Sequence, residues 1–192
     1  AAVTEIASFL VGAWVLFALF TFYFFRDPEP TLPADNKAIV APAHGKVDVI
    51  DETTEPKVMG GACRRISIFL SVMDVHVQRA PASGKVTLLE HRPGQFLSAT
   101  KAHCAECNES VLLGLETSAF AGQKLGLRLI AGLIARRIVP WVAVGELVNR
   151  GERISLIEFG SRVELFLPMT AKIQVELGAR VKGGETVVAT LS

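Results

Sequence analysis

The hydrophobic pattern divides the chain into two unequal parts. From Ile6 to Phe25 the residues read I-A-S-F-L-V-G-A-W-V-L-F-A-L-F-T-F-Y-F-F, with no charge in the run. About twenty apolar residues, rising about 1.5 Å each as a helix, match a hydrocarbon core about 30 Å thick. A signal peptide would open on basic residues and close on small ones, whereas Glu5 precedes this run and Phe24 and Phe25 end it. The pattern predicts a membrane-anchoring helix in residues 1–26. Arg26 directly behind it puts the remainder on the cytoplasmic side of the cell membrane.

After R-D-P-E-P-T-L-P, an extended proline linker, the rhythm shortens. I-V-A-P, K-V-D-V-I, R-I-S-I-F-L, V-H-V, K-V-T-L-L, S-V-L-L-G-L, L-R-L-I, R-V-E-L-F-L, K-I-Q-V and T-V-V-A-T-L are short and rich in β-branched residues, and Gly and Pro separate them. Residues 27–192 therefore read as one mainly β domain, a compact β-sandwich or barrel-sandwich with few short helices. One such helix is predicted over A-G-L-I-A-R-R-I-V, Ala131 to Val139, ended by Pro140. A-P-A-H-G-K-V at 41–47 is echoed by A-P-A-S-G-K-V at 80–86, so one turn-and-strand element is used twice.

Composition narrows the function. A net charge of +1 lacks the clustered cations that nucleic-acid binding needs. Three cysteines, Cys63, Cys104 and Cys107, have no secreted-scaffold spacing. H-C-A-E-C at His103–Cys107 resembles half of a zinc site but lacks a second ligand pair, with Cys63 the remaining candidate, so no metal is expected. Barrel-sandwich carrier modules display a lysine at a hairpin tip, as in M-K-M, and no such tip occurs here.

The alternation in I-E-F-G-S-R-V-E-L-F-L-P, Ile157 to Pro168, predicts one half-buried strand running through Gly160 and Ser161. A glycine there weakens packing, and a β-bulge is its ordinary explanation. Gly-Ser also permits particular chemistry. The serine hydroxyl can attack the carbonyl before it if the peptide is held distorted, and glycine allows that geometry and leaves the carbonyl unshielded. A neighbouring base would then drive β-elimination of the ester, leaving a dehydroalanine that hydrolyses to a pyruvoyl group.

F-F-R-D-P-E-P, A-P-A-H-G-K-V, R-I-S-I-F-L-S-V-M-D-V-H-V-Q-R-A-P-A-S-G-K-V, I-A-G-L-I-A-R-R-I-V and G-E-R-I-S-L-I-E-F-G-S-R-V-E-L-F-L-P stand in this order from Phe24 onward. Together they resemble the phosphatidylserine decarboxylase family, in its short branch with an F-G-S processing site. The resemblance implies a proenzyme that cuts itself between Gly160 and Ser161 into a β chain, residues 1–160, and an α chain, residues 161–192, that stay together. Ser161 would become the covalent pyruvoyl group, form a Schiff base with the phosphatidylserine amine and yield phosphatidylethanolamine at the bilayer. Self-association into a homo-oligomer is left open.

The resemblance also implies site residues. His76 matches the family histidine as proton shuttle, and D-V-H puts Asp74 on the same face of a strand. His44 stands where the family usually has aspartate, so it cannot supply a permanent negative charge, although neutral His44 retains a basic nitrogen. Arg79 replaces the second histidine of longer members, and C-N-E-S at Cys107–Ser110 replaces N-E-R-N. Arg79, Arg136 and Arg137 are candidates for the lipid phosphate. His91 and His103 are expected in loops without a chemical role. The competing reading is a non-catalytic membrane-tethered module, or a family member inactivated at His44.

Overall fold

The computed structural model describes residues 2–97, 107–120, 122–133, 137–158 and 160–191. The first element, α1 (Ala2–Phe24), is a single apolar helix. It is long and apolar enough to cross a membrane, and Phe24 is its one buried residue. The hydroxyls of Ser8 and Thr21 bond to the carbonyls of Thr4 and Phe17, both at 2.9 Å, so neither is left unpaired in an apolar surrounding. The helix stops where Asp27-Pro28 follows, because proline has no N–H to continue it.

Among the described residues fourteen strands follow: β1 (Ala38–Val40), β2 (Gly45–Glu55), β3 (Gly61–Leu70), β4 (Val77–Arg79), β5 (Gly84–Arg92), β6 (Ser110–Thr117), β7 (Lys124–Ala131), β8 (Ile138–Pro140), β9 (Leu147–Val148), β10 (Arg153–Ile157), β11 (Ser161–Leu167), β12 (Lys172–Ile173), β13 (Arg180–Val181) and β14 (Val187–Thr190). The mainly β domain behind an apolar N-terminal helix is as expected. An eight-stranded sheet has the order β13-β2-β3-β11-β7-β6-β5-β9, and two three-stranded sheets have the orders β1-β14-β12 and β4-β10-β8. Ile66, Ile68, Leu70, Leu113, Leu127, Val163 and Leu165 lie in the main core on one face of the large sheet.

The order of the large sheet is symmetric about the boundary between β11 and β7. Strands β4 to β10 form one unbroken half, and β1 to β3 with β11 to β14 form the other. The echoed turns are equivalent points in the halves: Val40 N donates to Pro81 O at 3.0 Å, and Arg79 N to Pro42 O at 2.8 Å. Each turn also faces a glycine-bracketed strand. Gly178 and Gly184 donate to Val47 O and Ala41 O, as Gly145 and Gly151 do to Val86 O and Ala80 O, and all four glycines have positive φ. In the unbroken half β6 runs into β7 through the short turn after Thr117, whose N–H is bonded to Gln123 O at 2.9 Å. In the other half the matching strands, β3 and β11, are joined through the whole inserted half. The chain leaves through 71–76 and returns between β10 and β11, and the two crossings meet where Ile157 N and Gly160 N bond to His76.

Ile157–Pro168 is therefore two strands and not one. β10 belongs to the small sheet and β11 to the large one, and the β-bulge explanation is replaced by a crossing between sheets at Gly160 (φ +67°). The helix expected over Ala131–Val139 is flanked by strand instead, with Ala131 closing β7 and Ile138 opening β8, while residues 134–136 lie outside the described residues. β11 is buried on both faces, not one. Its outward Arg162 forms a two-pronged pair with Asp48 at 2.8 and 2.6 Å, and Glu164 pairs with Arg65 at 3.0 Å and Arg128 at 3.4 Å. Pairing of this kind is what makes buried charge tolerable.

Candidate active site

Ser161 opens β11, opposite Leu70 of β3 and Ala131 of β7. Its side chain is fully buried, and its Oγ has no hydrogen-bond partner among the described residues. A buried hydroxyl left unpaired costs about 1–3 kcal/mol, so the arrangement needs a reason. The preceding Gly160 holds φ at +67°. A Cβ there would meet nothing nearer than Val72 Cγ1 at 3.9 Å, so glycine is required by conformation and not by space.

His76 lies at the other crossing, buried. Its Nδ1 is 2.8 Å from the Asp74 carbonyl oxygen, which can only accept, so Nδ1 carries the proton. Its Nε2 accepts the Gly160 N–H at 3.2 Å. The two contacts fix one neutral tautomer, with its lone pair against the backbone one residue ahead of Ser161. Burial pushes the His76 pKa down to about 4; Asp74 opposes that shift and Arg26 adds to it. The Phe24 ring lies over the imidazole, with centroids 4.2 Å apart and planes 33° apart.

Asp74 and His76 do not share a strand face. Residues 71–76 form a loop, and the Asp74 carboxylate accepts from Ser71 N at 2.8 Å, Ser71 Oγ at 2.7 Å and Arg180 at 3.2 Å. Asp74 orients the imidazole through its main-chain oxygen. His44 Nδ1 accepts the Gly183 N–H at 3.2 Å, as Ser83 Oγ at the equivalent turn accepts the Arg150 N–H at 2.9 Å. Neutral His44 therefore carries its proton on Nε2, the opposite tautomer to His76. Burial lowers its pKa, Glu185 and Asp74 oppose this, and Arg26 and Arg79 reinforce it. Asp74 and Arg26 thus act on both imidazoles, though no hydrogen bond joins His44 to His76 or Ser161.

The expected arginines are scattered. Arg79 is buried and bonded to Asp27 at 2.6 Å, Pro28 O at 2.9 Å and Gly151 O at 2.9 Å, so it fastens the linker to a turn and presents no free edge to a phosphate. Arg137 is exposed, and its carbonyl accepts the Glu158 N–H at 3.4 Å, beside the return crossing. Arg136 lies outside the described residues, as do His103 and Cys104. His91 belongs to β5, not a loop, and pairs with Glu109 at 3.2 Å. Cys63 is buried with Val58, Leu112 and Phe166, and no group of three metal-ligating side chains occurs among the described residues. Sequence reasoning missed Phe24 and Arg180. Phe24 is one of many aromatic residues in an apolar run, and Arg180 reaches the site only through the strand order.

A family model described as phosphatidylserine decarboxylase matches residues 17–189. A phosphatidylserine decarboxylase proenzyme of Symbiobacterium thermophilum is 45% identical over 174 residues, covering 91% of this chain and 80% of the relative. The proenzyme of Desulfotalea psychrophila is 42% identical over 187 residues, 97% of this chain and 85% of the relative. That of Syntrophus aciditrophicus is 45% identical over 187 residues, 95% and 87%. Similarity over this span makes the chain an enzyme, of the decarboxylase class. It belongs to the phosphatidylserine decarboxylase family.

Proposed function

We propose that the chain matures by cutting its own Gly160–Ser161 bond and then decarboxylates phosphatidylserine to phosphatidylethanolamine. The observation that carries this reading is the buried, unpartnered Ser161 hydroxyl directly behind a positive-φ glycine whose N–H is bonded to a neutral imidazole. Ser161 Oγ attacks the Gly160 carbonyl carbon, His76 Nε2 takes the hydroxyl proton in exchange for the Gly160 N–H it now accepts, and as the C–N bond gives way to the C–O bond that proton passes to the freed Ser161 nitrogen. Loss of the Ser161 Cα proton expels the Gly160 carboxylate from Cβ. Water then releases ammonia and leaves the pyruvoyl group on residue 161. His76 suits both proton transfers because it is uncharged across the physiological range.

The surroundings of Ser161 fit such a group: it is buried between β3 and β7, and His76 is bonded to the residue before it. The pyruvoyl carbonyl would supply the electron sink that loss of carbon dioxide from an amine-bearing carboxylate requires. His76 moves protons at that position, and the packing of β3 and β7 excludes bulk water. Arg137, exposed beside the return crossing, is the candidate for the lipid phosphate among the described arginines. The domain of residues 27–192 is held at the cytoplasmic surface by α1, whose last buried residue touches His76. A substrate with its acyl chains in the bilayer then meets the site at the interface.

The test is intact-mass analysis of the purified full chain beside Ser161→Ala and His76→Asn. The parent is expected as two chains divided after Gly160, the second blocked at its N-terminus, and Ser161→Ala as one chain. His76→Asn is expected to cut at least about a hundredfold more slowly, the usual scale for losing a positioned base. A parent that stays whole with an ordinary Ser161 supports the inert tethered module instead.

A further inference from the structure

The last turn of α1 is fastened to the loop that carries His76. Arg26 donates to Met73 O and Tyr23 O, both at 2.8 Å, and its guanidinium lies 3.8 Å from the Tyr23 ring centroid. The Tyr23 hydroxyl donates to Met73 O at 3.4 Å. Between these clamps Phe24 alone turns inward, and its ring covers the imidazole while also meeting Phe20 and Phe25. The rest of the helix makes no comparable contact: Phe17, Leu19 and Phe22 are 60% or more exposed.

We propose that Phe24 is a positioning residue for His76: delivered by the end of the membrane helix, its ring shields the imidazole and keeps the Nε2 lone pair on the Gly160 N–H. Phe24 is the only fully buried residue of α1, the helix end is bonded to the same six-residue loop, and burial is the largest cause of the lowered His76 pKa. The charges that act on the ring are Asp74 on its own loop, braced by Arg180, and Arg26 on the helix end, while the return crossing meets it through the Gly160 N–H. Arg26 disfavours the imidazolium and Asp74 favours it, so with the Phe24 shield gone, water and Asp74 together bring protonation into the range where the enzyme works. The site is then competent only while the helix end is seated.

This consequence for catalysis rests on His76 acting as the base, whereas the control of the ring by Phe24 does not, and the two are tested separately. In full-length Ser161→Ala, in detergent micelles, ring nitrogen shifts of His76 are followed against pH with Phe24 intact, changed to Leu, which keeps apolar volume, or changed to Tyr. With Phe24 the ring is expected to stay neutral with Nδ1 protonated to about pH 5, whereas Phe24→Leu raises its apparent pKa by about one unit or more and mixes the tautomers. Phe24→Tyr should restore the parent behaviour. In chains that keep Ser161, a rise of about two units, from about 4 to about 6, means that Phe24→Leu should slow cutting about fourfold at pH 5.5 and less than about twofold at pH 8. Unmoved His76 shifts in Phe24→Leu, or an equal slowing at both pH values, overturns the proposal. A parent that never cuts, with His76 shifts that still respond to Phe24, sinks the self-cleavage reading and leaves the role of Phe24 standing.

Discussion

At the scale of single residues, His44 shows how one side chain can hold a structural duty inherited from the fold and an electrostatic one set by its neighbours. Its Nδ1 caps the Gly183 amide, and the pseudo-equivalent Ser83 shows that a small hydroxyl performs the same task. The structural duty is therefore open to serine. His44→Ser is expected to unfold in denaturant at the same midpoint as the parent, and His44→Ala to lose about 1 kcal/mol, the usual worth of a side-chain acceptor for a turn amide. The electrostatic duty is different. Aspartate can accept the same amide with one oxygen and add a negative charge in the field that already reaches His76 through Asp74 and Arg26. It would stabilise the imidazolium formed when His76 takes a proton. His44→Asp should thus cut faster than the parent, and His44→Ser should not, as followed by the time course of chain splitting on gels. Equal rates in all three would show that the charge at position 44 does not reach the reaction.

At the scale of elements, the two echoed turns share one intolerance. A Cβ on Gly45 would lie 2.2 Å from Phe69 O, and one on Gly84 would lie 2.2 Å from Glu116 O, a main-chain clash in both halves. No rotamer relieves a clash with backbone, so Gly45→Ala and Gly84→Ala should each lower stability by about 2 kcal/mol or more, and by similar amounts. Thermal unfolding of the Ser161→Ala chain checks this, and a loss confined to one of the pair would refute the equivalence of the halves. The echo was legible because A-P-A-x-G-K-V needs the same glycine in the same place. β3, β6 and β11 were legible for another reason: their apolar residues alternate or run together over about five residues, Ile66–Leu70, Val111–Leu115 and Val163–Leu167. β9 and β13 are two residues each, too short to impose a period, and depend on the partner strand for their existence, while β12 is the shortened K-I of the expected K-I-Q-V. The crossing at Gly160 was hidden because Ile157 and Val163 keep the spacing of one strand across it, while the change of sheet is written only in the φ of a single glycine. For the same reason the pairing of Gly160 with His76 was not readable: Gly160 N meets a ring 84 residues away. The residue types at the site were visible in the chain, but their meeting depends on one half of the fold being inserted into the other.

At the scale of the whole molecule, that insertion decides what a cut at Gly160 can do. The bond lies where the equivalent half has a closed hairpin, so severing it opens a connection and removes no strand. All of β11 to β14 would fall in the second chain. β11 would stay between β3 and β7 of the first chain, paired along Ser161–Leu167 on one side and Ser161–Phe166 on the other. β13 would stay on β2, and β14 on β1. Charge crosses the same boundary, from Arg162 to Asp48 and from Glu164 to Arg65 and Arg128, with Arg162 and Glu164 both buried. Pulling the second chain away would expose the core face of the large sheet to water and give up these pairs together with the strand hydrogen bonds on both sides of β11. The cut protein should therefore behave as one particle. It should elute from size exclusion in detergent at the position of uncut Ser161→Ala, give one native mass equal to both chains, and separate only when denaturant unfolds the sheet. Chains that part on dilution without denaturant would mean that β11 is not the centre of the folded sheet, and the architecture that brings His76 to Gly160 would have to be redrawn.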